Sequence, residues 1–328
     1  MPTYNARDWV LDTIDSLIAQ TWPHIELIVV DDASSDDTVA LARRKLKAEF
    51  KAGWDVVALK ANSGPSAARN IGLKQAAGAW VQFLDADDFL APDKLALQMA
   101  VCAGAPGDVA AVYSPWRRCY DDDGKMEWAG PLVRPDMEGR SPLMALVGDE
   151  RPLLNAGLAR REGLLQIGGF DETLRFWECE ELTVRLAKAG RLVPVGADEP
   201  LYLWRDYRDR DYIGAEGARY HFAPVALSWI EQMVKAAGHR TFDEMALSER
   251  DRADIRRLIT FWGRLLYTEN LGDFRRFRAM AQQFDPAIGP SYPAYASALS
   301  RYTGYETAEA VARLGRAPGR ILSKFLKR

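Results

Sequence analysis

Three carboxylates fall within four residues where an apolar run stops: Trp80-Val81-Gln82-Phe83-Leu84 leads into Asp85-Ala86-Asp87-Asp88. A like-charge pair at about 4 Å near a protein surface costs roughly 4 kcal/mol before screening. A divalent cation bound through oxygen removes that cost and leaves positions open for a phosphorylated ligand. The apolar run has the length of a buried strand, and ligands of open α/β sheets sit at the carboxyl ends of strands. The pattern therefore points to a metal-assisted site for a phosphate-bearing substrate. Aspartates after strands also serve as helix caps and turn formers, so the rest of the chain must decide between the two.

A second acidic cluster, Asp31-Asp32-Ala33-Ser34-Ser35-Asp36, follows the apolar run Ile25–Val30. Val56–Leu59 and Val109–Tyr113 are further strand-length runs, and helical patterns lie between them. Ser63-Gly64-Pro65 opens one of these helices, with Pro in its first turn, and Gly78 lies past its end. This β-α-β alternation predicts a doubly wound, parallel sheet. Asn5 can cap a helix carrying Val10, Ile14 and Leu17. A strand should precede that helix, and none is legible before Asn5; the expectation is that the natural protein starts upstream of Met1.

Further on, Asp121-Asp122-Asp123-Gly124 suits a hairpin turn, and Gly168-Gly169-Phe170-Asp171 marks a loop. A helix from about Glu178 to Lys188 spaces Glu181 and Arg185 as an i,i+4 pair. Beyond about Asp211 the pattern is helical, around 224–236, 250–267 and 274–284. Three parts are expected, 1–115, which lacks its first strand, 116–210, and 211–328, a helical region with a basic tail, with the last boundary near Arg210.

Composition is that of a globular protein, 48% hydrophobic and 27% charged, with a formal net charge of −3 that gives no reason to expect nucleic acid. Three scattered cysteines without C-x-x-C spacing suit a reducing, cytoplasmic compartment, and the three histidines lack zinc-ligand spacing. No apolar run is long enough to span a membrane. Residues 301–328 carry seven Lys/Arg against two Glu, with Ile321, Leu322, Phe325 and Leu326 as a short apolar stripe. That pattern suits peripheral contact with an anionic membrane face, and equally a solvated terminal helix.

In their order, five segments resemble the family 2 inverting glycosyltransferases of GT-A fold: Pro2-Thr3-Tyr4-Asn5; Val29 to Asp36; Gly64-Pro65-Ser66-Ala67-Ala68-Arg69-Asn70-Ile71-Gly72; Phe83 to Asp88; and Gly168 to Glu172. The resemblance covers about residues 1–205 and implies a Rossmann-like, doubly wound mixed sheet with a helical C-terminal extension, in which 1–115 is the nucleotide-sugar-binding half and 116–210 the acceptor-binding half. It implies that Pro2, Thr3 and Tyr4 lie at the turn holding a nucleotide base, with Tyr4 packing on it. Asp32 would accept from the ring N–H of uracil or thymine. Arg69 would lie near the nucleotide, where a fixed cation suits a pyrophosphate. Asp85, Asp87 and Asp88 would hold Mg²⁺ or Mn²⁺, with Asp87 also within reach of the ribose.

The implied reaction is transfer of a sugar, with inversion, from a UDP- or dTDP-type donor to an acceptor hydroxyl on a glycan or lipid-linked acceptor, in cell-surface glycan synthesis. A carboxylate at a helix start would take the acceptor proton. Counting back from Arg185, the expected Asp position holds Cys179, a poor base when neighbouring acids raise its pKa. Glu178 and Glu180 are the candidates in its place. The departure also motivates a second reading: a degenerate nucleotide-sugar-binding protein without transfer. Arg205 is a weaker candidate near the diphosphate, and Trp177, Trp204 and Tyr207 are candidates for sugar-facing aromatics.

Overall fold

The computed structural model describes residues 1–122, 125–147, 150–206, 222–238, 240–245, 247–269 and 271–286. Two compact units divide the chain, Met1–Tyr220 and His221–Arg328.

In the first unit β1 (Pro2–Thr3), β2 (Glu26–Asp31) and β3 (Gly53–Ala58) form a parallel sheet in the order β1-β2-β3. The strand expected to be absent is therefore present in short form. Its two residues pair with Val30 and Asp31, and the amides of Val30 and Asp32 donate to the carbonyls of Met1 and Thr3. Two residues carry no periodicity, which is why no pattern announced it.

The helix α1 (Val10–Ile18) starts later than Asn5, with Trp9 at its N-cap position. Asn5 instead lies at φ 48°, and its side-chain oxygen accepts from the Ser35 amide at 2.9 Å. The short polar Asn tolerates this left-handed region better than most residues. α1 and α2 (Thr38–Glu49) bury Val10, Ile14, Ala42 and Leu46 with Leu27 and Val29 of β2.

A second, mixed sheet runs β10-β6-β9-β4, from β4 (Trp80–Gln82), β6 (Val109–Tyr113), β9 (Gly157–Arg160) and β10 (Arg191–Pro194). Only its β10–β6 pair is parallel. The third sheet runs β5-β11-β7-β8, from β5 (Phe89–Leu90), β7 (Trp116–Asp122), β8 (Lys125–Trp128) and β11 (Tyr202–Asp206). Alternation along the chain had suggested one parallel sheet; strand pairing set by distant contacts makes three. β7 and β8 pair as a hairpin through Asp122 and Lys125, while residues 123–124 of the expected turn lie outside the described residues.

Among the described residues this unit has four further α-helices: α3 (Pro65–Gln75), α4 (Lys94–Ala103), α5 (Arg161–Gln166) and α6 (Glu178–Ala189). Pro65 occupies the first turn of α3, and Gly64 before it adopts φ 88°, a conformation that only glycine takes without strain. Phe83, Phe170, Leu164, Leu182 and Leu186 share a core, with the Phe83 and Phe170 rings edge-to-face at 4.9 Å.

The second unit contains α7 (Phe222–Ala237), α8 (Glu249–Glu269) and α9 (Leu271–Ala281), close to the spans expected. Trp229, Ile230, Ile255, Phe274 and Phe277 are buried in it. Among the described residues no helix is long and apolar enough to cross a membrane. The basic stretch 301–328, Tyr207 and the expected boundary near Arg210 lie outside the described residues.

Candidate active site

The carboxyl ends of β1 and β2 meet at the first acidic cluster. Thr3 is buried and donates its hydroxyl to Asp31 at 3.0 Å, and the Ser34 amide donates to the same carboxylate at 2.9 Å. Asp31 is thus a turn former. Asp32, expected to face a base, is 4% exposed and accepts from the amides of Ser63 (2.7 Å) and Gly64 (2.8 Å). It ties the end of β2 to the entrance of α3. Pro2 is half-buried, and Tyr4 is 44% exposed at the end of β1, an aromatic face open to a planar ligand.

The second acidic cluster forms a tight turn after Leu84, in which the Asp88 amide donates to the Asp85 carbonyl at 3.3 Å. Asp85 accepts from Arg69 Nη2 at 2.7 Å and from Asn155 Nδ2 at 2.8 Å. Asp88 is 3% exposed and turned inward, where it accepts from the Tyr202 hydroxyl and, at 2.8 Å, from the Arg205 amide. Burial raises the Asp88 carboxyl well above its ordinary value, and the neighbouring Asp87 and Asp85 push the same way. Asp87, third in the turn, is half-buried.

Arg69, on α3, is buried. Its Nη2 meets Asp85 and its Nη1 meets Glu178 at 3.1 Å, while the guanidinium lies 5.3 Å from the Phe170 ring centre. The next residue, Asn70, grips the Gly168–Glu172 loop. Its amide donates to the Phe170 carbonyl (3.0 Å) and to Glu172 (2.8 Å), and it accepts from the Phe170 amide (2.8 Å). Gly169 adopts φ 66°, and a Cβ there would stand 2.5 Å from Asn70 Oδ1. Only glycine permits this clasp.

The loop delivers the chain to α6 through Trp177, which caps the helix at φ 65°. Acids suit the first turn of a helix, where the dipole is positive, and Glu178, Glu180 and Glu181 stand there. Glu181 pairs with Arg185 in a two-pronged ion pair at 2.6 and 2.7 Å, the i,i+4 contact expected from spacing. Glu180 faces Arg151 at 3.3 Å. Glu178 shares Arg69 with Asp85. Burial pushes the Glu178 carboxyl up, opposed by Arg69 and assisted by Glu180. The Cys179 thiol is pushed well up, mainly by burial, so it stays protonated at neutral pH.

Arg205 is buried, pairs with Asp12 at 3.0 Å and lies 4.3 Å from the Phe89 ring centre. Trp204 packs against Trp116, their ring centres 6.0 Å apart. Asn155 and Tyr202 touch the acidic turn, and no motif marked them in advance.

A divalent cation fits this site only in a restricted way. Among the described residues no three His, Cys, Asp or Glu side chains converge as a metal cage. The three-carboxylate arrangement expected of Asp85, Asp87 and Asp88 is not formed, because Asp88 is satisfied by internal donors. A hard cation that draws most of its ligands from water and a diphosphate needs one or two carboxylates. In this turn Asp87, with Asp85 beside it, would supply them.

Comparison with known proteins agrees with this architecture. Residues 1–143 match the family described as Glycosyl transferase family 2. A 98-residue segment is 44% identical to TuaG of Bacillus subtilis (strain 168), named a putative teichuronic acid biosynthesis glycosyltransferase; it spans 30% of this chain and 38% of that protein's length. S. aureus TarS in complex with UDP-GlcNAc superposes with a TM-score of 0.62 at 19% identity, over 96% of this chain and 90% of that one. The mannosyltransferase PcManGT from Pyrobaculum calidifontis, in complex with GDP-Man and Mn²⁺, gives 0.53 at 22% identity, over 94% and 82% of the two chains. At such identities the likeness establishes the fold, which is the GT-A fold expected from the sequence.

Proposed function

We infer that this chain, a glycosyl transferase family 2 sequence over residues 1–143, transfers a sugar from a nucleoside-diphosphate donor to an acceptor hydroxyl. The observation that carries this reading is Arg69. One buried guanidinium ties Asp85, in the acidic turn, to Glu178, at the head of α6, from positions 109 residues apart to Glu178 and 16 to Asp85. A donor diphosphate near the acidic turn would then lie close to a carboxylate able to take a proton.

Tyr4 supplies an exposed aromatic face for the base, and Asp32 holds the loop beneath it. The bond to the anomeric carbon forms from the acceptor oxygen as the bond to the diphosphate oxygen breaks, on the opposite face of the sugar, giving inversion. Glu178 takes the acceptor proton. Its raised pKa moves it toward the range where a general base works best near neutrality. Each candidate faces an arginine, Glu178 with Arg69 at 3.1 Å and Glu180 with Arg151 at 3.3 Å; Glu178 is preferred because its arginine also holds Asp85 of the acidic turn. A bound Mg²⁺ or Mn²⁺, held by Asp87 with Asp85, would offset charge on the departing diphosphate.

The acceptor is read as a glycan or lipid-linked glycan, by analogy with the relative named for teichuronic acid synthesis. Peripheral membrane contact through residues 318–328 rests on sequence alone, and loss of vesicle flotation on their deletion would support it. The central test is a panel of UDP-, dTDP- and GDP-sugars incubated with purified protein and Mn²⁺. Release of nucleoside diphosphate that Glu178→Gln abolishes supports the transferase. Binding of a donor without turnover by the wild type, at any acceptor tried, supports the binding-only alternative.

A further inference from the structure

The acidic turn is framed from below by a continuous hydrogen-bonded relay. Asn155 Nδ2 donates to Asp85 Oδ2 at 2.8 Å and lies 3.3 Å from the Tyr202 hydroxyl oxygen. The Tyr202 hydroxyl donates to Asp88 Oδ2, and Asp88 Oδ1 accepts from the Arg205 amide at 2.8 Å. A carboxylate can only accept, so the amide of Asn155 must turn its NH₂ toward Asp85. Tyr202, Asp88 and Asn155 are 1%, 3% and 9% exposed, so water competes for none of these bonds. Gln82 anchors the relay by donating to the Asn155 carbonyl at 2.6 Å, and Thr13 holds the turn itself by donating to the carbonyl of Ala86 at 2.8 Å.

The first and fourth residues of the turn are therefore clamped to the second and third sheets, through β9's approach at Asn155 and through β11 at Tyr202. Asp87 occupies the turn's third position, between the two clamped residues. We propose that Tyr202 and Asn155 are positioning residues that aim Asp87 at the cation-bound diphosphate, and that Asp88 is part of this frame rather than a metal ligand. The proposal rests on the donor-binding reading given above. Supporting side chains of this kind fix ligand orientation, and their loss typically lowers metal affinity about 10–100-fold.

The test uses the full chain and the variants Tyr202→Phe, Asn155→Ser, Asp87→Asn and Asp88→Asn. UDP and GDP binding is measured by calorimetry with Mn²⁺ and again with EDTA, and hydrogen exchange is followed at the Arg205 amide. Tyr202→Phe is expected to speed exchange at Arg205 and to weaken Mn²⁺-supported nucleotide binding about tenfold, while metal-free binding stays the same. Asn155→Ser should repeat the binding effect should Tyr202→Phe fold poorly. Asp87→Asn should erase the gain that Mn²⁺ gives, whereas Asp88→Asn should weaken binding yet keep that gain. Unchanged exchange and binding in Tyr202→Phe and Asn155→Ser would overturn the proposal, and so would an Asp88→Asn variant that loses the Mn²⁺ gain as Asp87→Asn does. Wild-type protein binding neither nucleotide would overturn the donor reading itself, and exchange at Arg205 would then decide the frame independently.

Discussion

Asn70 and Phe170, 100 residues apart, hold each other by a reciprocal pair of hydrogen bonds, one from the Asn70 amide to the Phe170 carbonyl and one from the Phe170 amide back to Asn70. Through this clasp α3 sets the height at which the loop enters α6, and so the place of Glu178. Asn70→Ala removes both bonds and the one to Glu172, leaving a buried N–H and C=O unpaired. A loss of about 2–4 kcal/mol is expected from buried groups left without partners. Gly169→Ala, which drives a methyl into Asn70 Oδ1 at a positive φ, should cost about 1–3 kcal/mol. Urea denaturation of the two variants measures both, and near-wild-type midpoints would contradict the clasp.

Asp32 accepts two backbone N–H bonds while buried. Asp32→Asn replaces one accepting oxygen by an NH₂ that opposes a backbone donor. The variant should lose about 1–3 kcal/mol even with no nucleotide present. Thermal unfolding of the ligand-free protein checks this; an unchanged midpoint would return Asp32 to a purely ligand-facing role.

Glu178→Gln should lower turnover about 10²–10⁴-fold, the usual worth of a general base, with a small change in melting temperature. Because burial raises the Glu178 pKa, the wild-type rate should fall with decreasing pH at values above the ordinary carboxyl range. The residual rate of Glu178→Gln should lack that acid limb. A pH–rate profile of both proteins decides it, and a limb that persists in the variant would assign the proton to another group.

Lys94 is fully buried, and its ammonium donates to the side-chain oxygens of Gln82 and Gln98, with no carboxylate among these bonds. Burial lowers its pKa from 10.5 to about 7. Between these values the unfolded chain holds a proton that the folded chain does not, so stability rises as pH increases from about 7 to 10.5. Below about 7 both states are protonated and the penalty is constant. Lys94→Met should flatten this rise, so that its stability relative to wild type declines by up to a few kcal/mol across the window. Denaturation midpoints measured from pH 7 to 10 test the slope, and parallel curves would refute it.

How much of this was legible beforehand follows from range. The Glu181–Arg185 pair was readable because a helix brings residues four apart together, whatever surrounds it. The strands β2 and β6, the helix opening at Pro65 and the GT-A fold were readable because hydrophobic runs, proline and motif order are properties of the chain itself. β1 was not, since two residues have no period. The partners of Asp88 were not legible for a different reason: an aspartate after a strand looks the same whether it faces a cation or a buried tyrosine.

Sequence alone established which residue types could do the chemistry, and that carboxylates, an arginine and a helix start would be near one another in such a fold. Only the tertiary structure decided which carboxylate meets which partner. Arg69 reaches Glu178 across 109 residues, and Tyr202 reaches Asp88 across 114. Such pairings depend on burial, because an ionised or polar side chain removed from water must bind whatever complementary group packing places beside it, and that neighbour is chosen by the arrangement of strands rather than by any spacing along the chain.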